Sequence, residues 1–88
     1  MMSITQGQVS VGTAASQLNS PQAMPGIVHI TNQDNTDTVF VGGLGVTSAT
    51  GYGILKSDHI DVQIFAEQVL YAISSKPGHT VSWLHITP

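Results

Sequence analysis

Short runs of Val, Ile, Thr, Phe and Tyr recur along the chain between turn-forming clusters, and several alternate apolar with polar side chains at the two-residue period of a strand. His59 to Phe65 is the clearest: Ile60, Val62 and Ile64 point one way, His59, Asp61 and Gln63 the other. Ile27 to Thr31 divides in the same manner, with Val28 and Ile30 opposite Ile27, His29 and Thr31. Further strands are predicted at Val9 to Val11, Thr38 to Val41, Ile54-Leu55, Val69 to Ser74 and Thr80 to Ile86. Thr13 to Met24 reads as a helical turn or an irregular edge segment. The Asn- and Asp-rich stretch Asn32 to Asp37 is a turn by composition, which makes the strands on either side of it the best hairpin candidate. Lys76-Pro77-Gly78-His79 has Pro and Gly where a type II turn wants them. The expected fold is all-β: a small sandwich or barrel of six to seven short strands with Greek-key or jelly-roll-like connections. Residues 9–88 form one β domain in this reading, and residues 1–8, polar and Gly-containing, form a flexible N-terminal arm.

Two strands break the alternation. In Val69-Leu70-Tyr71-Ala72-Ile73 and in Val81-Ser82-Trp83-Leu84-His85-Ile86, apolar side chains occur at successive positions and so on both faces. The plain explanation is a central strand covered by loops; the functional one is a face turned toward a partner. Val69, Leu70, Tyr71, Leu84 and Ile86 are therefore candidate interaction residues, joined by Ile4 in the N-terminal arm. A chain of 88 residues buries only about 60% of the surface its unfolded form exposes, so a partner surface is a natural source of added stability.

Composition narrows the partners. Charged residues make up 8% of the chain, against about 25% in ordinary soluble domains, and the net charge is -3. Lys56 and Lys76 are the only basic side chains besides histidine, too few for the phosphate contacts on which nucleic-acid binding depends. No membrane association is expected either: Met1 to Gly7 has neither the basic nor the apolar region of a secretory signal, and Val39 to Val46, the longest near-apolar stretch, is interrupted by three glycines. The absence of cysteine fits a reducing cytosol, and equally a protein assembled there and later released.

Candidate chemistry fails its templates. His29, His59, His79 and His85 lack the spacing of a helical or strand metal site, and no Cys joins them. Asp34 to Asp37 has calcium-ligand composition without the Gly and distal Glu of an EF-hand loop. Gly43-Leu44-Gly45-Val46 matches half a dinucleotide fingerprint with no helix to follow. Ser57-Asp58-His59 contains the letters of a hydrolase triad, yet strand neighbours point to opposite faces. The expectation is a protein that is not an enzyme and needs neither metal nor cofactor.

The most individual segment is Val39-Phe40-Val41-Gly42-Gly43-Leu44-Gly45-Val46-Thr47-Ser48-Ala49-Thr50-Gly51-Tyr52-Gly53-Ile54-Leu55. Together with Val9-Ser10-Val11-Gly12-Thr13-Ala14-Ala15 and Leu70-Tyr71-Ala72-Ile73, it resembles a group of small β-sandwich structural proteins of tailed bacteriophages, over roughly Val9 to Ile86. The resemblance implies a capsid decoration protein, made in the host cytoplasm and set on the capsid exterior of the virion, with the major capsid protein as partner and a homotrimer as the oligomer. Trp83 and His85 are not part of the pattern. The alternative is a carbohydrate- or receptor-binding β module of a phage tail or fibre, with Trp83, Tyr52 or Tyr71 as the stacking platform.

Overall fold

The computed structural model describes residues 3–33, 38–55 and 57–87. These form eight strands and no helix: β1 (Ser3–Val11), β2 (Ser16–Gln17), β3 (Gly26–Asn32), β4 (Val39–Gly42), β5 (Tyr52–Ile54), β6 (His59–Ile64), β7 (Tyr71–Ser74) and β8 (His79–Thr87). Two antiparallel four-stranded sheets result, sheet A in the order β1-β8-β3-β6 and sheet B in the order β2-β7-β4-β5. First pairs with last, second with seventh, third with sixth and fourth with fifth, as if one long hairpin had been rolled up. The pairs β3–β8 and β4–β7 then close each sheet. Two antiparallel sheets in this order make a small β-sandwich.

The core lies between the sheets and is supplied by the inward member of each alternating pair. Val11, Val28, Ile30, Ile64 and Val81 come from sheet A; Val39, Val41, Ile54 and Ala72 come from sheet B, with Leu18 from the segment after β2. β-Branched residues dominate because their χ1 is already restricted and they pack well on a pleated surface. A buried Asn32 at the end of β3 donates to the carbonyl of Ile54 in the opposite sheet at 3.0 Å, which ties the sheets together with a satisfied polar group. At Gly26 an added Cβ would come within 2.3 Å of the Ile86 carbonyl oxygen, so the β3–β8 ladder closes at this end only over a glycine. Gly78, at φ 84°, occupies the position of the Pro77-Gly78 turn that requires the left-handed region.

The structure departs from the expectations in two places and decides one alternative left open. In the segment expected as an arm, residues 1–8, the chain is strand from Ser3 onward, paired with β8 from Ser3↔Thr87 to Val11↔His79; Met1 and Met2 lie outside the described residues. The segment is polar and carries Gly7, so it has little strand propensity of its own, and the nine-residue β8 supplies the template. The hairpin expected across Asn32 to Asp37 does not form. β3 belongs to sheet A and β4 to sheet B, so the connection is a crossover between sheets; its residues 34–37 lie outside the described residues. Both ladder positions of β3 are taken by β8 and β6, and turn-forming side chains reverse a chain equally well within a sheet or between sheets. Finally, the ambiguous stretch Thr13 to Met24 contains the two-residue edge strand β2, followed by a loop that the Leu18 amide fastens to the Leu70 carbonyl at 2.8 Å.

Candidate interaction surface

Residues directly opposite in a ladder share a face, so the register assigns the outward side chains of sheet A. One row runs Ile4, Ile86, Ile27, Gln63 across β1, β8, β3 and β6. The next runs Gln6, Leu84, His29, Asp61, and the next Gln8, Ser82, Thr31, His59. Apolar side chains thus gather at one end of the outer face and neutral polar ones at the other. Ile4 is 55% exposed and Ile27 44%, while Ile86 and Leu84 are half-buried between their neighbours. Three of the six residues singled out from sequence, Ile4, Leu84 and Ile86, therefore meet on one surface. Ile27 completes the patch. Its own strand alternates so regularly that Ile27 reads there as an ordinary outward residue, and only the register places it beside Ile86.

Val69, Leu70 and Tyr71 do not join that patch. Tyr71 opens β7 and faces outward from sheet B, opposite Gln17 and Gly42. Val69 and Leu70 precede the strand, half-buried, and the segment is held by Asn19, whose Oδ1 accepts from the Leu70 amide at 2.8 Å while its Nδ2 donates to the Gln68 carbonyl at 3.2 Å. Leu70 instead lines a groove of about 510 Å³ with Val41, Gly42, Tyr52, Ile60, Asp61 and Val62. The groove opens where β6, the edge of sheet A, lies near β5, the edge of sheet B. Sandwich sheets that do not close into a barrel leave such a seam, and here its floor is aliphatic.

The histidines separate into two kinds. His29 and His59 stand on the outer face, His29 with its Nδ1 hydrogen-bonded to an Asp61 carboxylate oxygen and His59 close to Asp58. His79 and His85 lie buried on the inner row of β8. Among the described residues neither ring nitrogen of His85 has a hydrogen-bond partner, and burial lowers its pKa from the ordinary value of 6.5. No group of three or more His, Asp or Glu side chains placed to hold a metal occurs among the described residues; Asp34 and Asp37 lie outside them. Trp83, a candidate stacking platform, faces inward and half-buried, its indole over the backbone of its cross-strand neighbour Gly7, where an added Cβ would sit 3.0 Å from the ring.

No family model and no curated protein matches the chain. Solved structures do. The fold is similar to that of a chain in the Bacillus endospore appendages, described as disulfide-linked pili, at a TM-score of 0.74 and 9% identity, covering 98% of this chain and 83% of that one. It is similar also to a chain in the acidic stable capsid of Helicobacter pylori bacteriophage KHP30, at a TM-score of 0.62 and 13% identity, covering 97% and 85%. At such identities the likeness is one of fold.

Proposed function

We propose that the protein is a non-catalytic structural component of a bacteriophage virion, a decoration protein that sits on the outer face of the head as a self-associated, threefold unit and reinforces it. The observation that carries this reading is the apolar patch Ile4, Ile27, Leu84 and Ile86 on the outer face of sheet A, presented by a sandwich whose fold a phage capsid chain shares. The disulfide linkage of the pilus neighbour is closed to a sequence without cysteine, so contact must be made by burial and backbone hydrogen bonds. Attachment at many symmetry-related sites makes a modest contact sufficient: if each copy bridges two or more capsid subunits, an interface on the order of 1,000 Å² holds because bridging raises the effective local concentration. Asp61 is the only carboxylate in the three outer rows, and it is engaged by His29, so binding should change little between low and moderate salt.

The test adds purified protein to heads assembled without it and measures occupancy and heat resistance. Saturable binding with a raised disruption temperature, abolished by Ile27→Asp, supports the reading. Failure to bind heads, together with binding to tails or glycans, overturns it in favour of a receptor-binding module.

A further inference from the structure

The β4–β5 loop, residues 43–51, presents the most exposed large apolar side chain of the described residues. Leu44 is 86% exposed, yet the loop that carries it is tightly fixed. The Val46 amide donates to the Gly43 carbonyl at 3.1 Å, Gly45 takes a φ of 85°, and the Val46 side chain is buried against Gly42 and Gly51. Thr47 and Thr50 exchange reciprocal bonds, each backbone amide donating to the other's Oγ1 at 3.1 and 3.2 Å, and the Gly51 amide closes on the Thr47 carbonyl at 2.8 Å. A leucine held this rigidly in water gains nothing for the monomer; rigid apolar display lowers the ordering cost of docking.

The aliphatic groove begins at the foot of the same loop. Gly42, two residues before Leu44, and Tyr52, the first residue after the loop, both line it, and Tyr52 is itself 66% exposed. Its volume accommodates a leucine side chain with room to spare. Charge permits a like copy to approach: residues 43–53 carry no charged side chain, and the one carboxylate among the described residues that line the groove, Asp61, is already bonded to His29. Elsewhere a chain of net charge -3 with two lysines would meet its own copy at a cost. A knob beside the lip of its matching hole is satisfied when a rotation axis passes close by, because each copy then gives its knob to a neighbour and receives one in return.

We infer that copies of this chain associate by inserting Leu44 of one into the groove of the next, between Val62, Leu70 and Tyr52. The inference rests on the self-association in the proposed function and names its contact; it does not depend on which particle is bound. Because the sequence has no cysteine, engineered pairs report cleanly. Leu44→Cys and Val62→Cys, prepared singly and mixed under mild oxidation, should give a covalent heterodimer both in solution and on heads, whereas Leu44→Cys mixed with Thr80→Cys, exposed on sheet A, should not. The double variant L44C/V62C should give a closed covalent ring whose mass states the order of the axis. Leu44→Asp, an exposed change that leaves the fold intact by circular dichroism, should weaken association by roughly tenfold or more in sedimentation. Failure of the mixed cysteines to cross-link on heads as well as free, or unchanged association of Leu44→Asp, overturns the contact. Capture of Leu44→Cys only by a head protein would overturn it too, by assigning the knob to the particle. Loss of head binding in the Ile27→Asp variant with the Leu44 cross-link preserved would separate the two contacts.

Discussion

The two sheets of this sandwich are unequal. Sheet A is built from strands of nine, nine, seven and six residues, sheet B from strands of four, four, three and two. In sheet A the longest ladder runs nine residue pairs without a break, while β4 and β5 share three pairs and β2 and β7 two. The chain saved on strands in sheet B is spent on loops. Three of its large exposed apolar side chains, Leu44, Tyr52 and Leu55, lie in or beside the β4–β5 hairpin. The difference separates two tasks. A continuous ladder resists local opening because its hydrogen bonds are shielded and break together, and short strands between ordered loops place side chains outward at small cost to the core.

Removing residues 3–8 should break this comparison most severely. The deletion strips β8 of most of one partner and leaves a long edge bare, so the variant is expected to lose cooperative folding, read as a collapsed thermal transition with aggregation. Retention of a sharp melt would instead make the segment an exchangeable arm.

A matched pair of core truncations sharpens the contrast. Ile30 in central β3 and Ile54 in edge strand β5 are both fully buried. Ile30→Ala should cost about 3 kcal/mol, and Ile54→Ala less, about 2 kcal/mol, because an edge strand collapses more readily into the space left behind. Chemical denaturation of the two variants checks the order; equal losses would show the sheets to be equally rigid.

Within the sheet B side, Asn19→Ala removes the buried amide that satisfies the Leu70 amide and the Gln68 carbonyl. A loss of about 2 kcal/mol is expected, with faster amide exchange confined to the segment around Leu70 rather than spread over sheet A.

The smallest effect is a dependence on acidity. His85 is held neutral by burial, with a folded-state pKa below 6.5, so the unfolded chain binds the extra proton first. Its contribution to stability is complete above pH 6.5 and is lost as the pH falls below that value toward the folded pKa. Melting temperatures of the native protein should decline from pH 7.5 to 5 more steeply than those of His85→Leu; parallel curves would show that the ring is not the titrating group.

How much of this was legible beforehand varies by level. Alternation in His59 to Phe65 and Ile27 to Thr31 was enough to assign inward and outward faces, since a strand has only two and burial chooses between them. The doubly apolar stretch at the chain end likewise marked Leu84 and Ile86, which stand on the outer face. Ser3 to Gln8, polar but for Ile4, carried no alternation of that kind, and one isoleucine does not distinguish a strand templated by a neighbour from a loose segment.

Local side-chain chemistry acts over a few residues, and it determined most of the strands beyond Gln8, their faces and the Pro77-Gly78 turn. Which strands become neighbours is a property of the whole roll. Ile4, Ile27 and Ile86 are scattered along the chain and meet only because β8 pairs with both β1 and β3, and the groove exists only because β5 and β6 end their sheets on the same side. Pairing of that kind is decided by the competition of all strands for a shared core and a limited number of ladder positions, and no window of sequence contains the competitors.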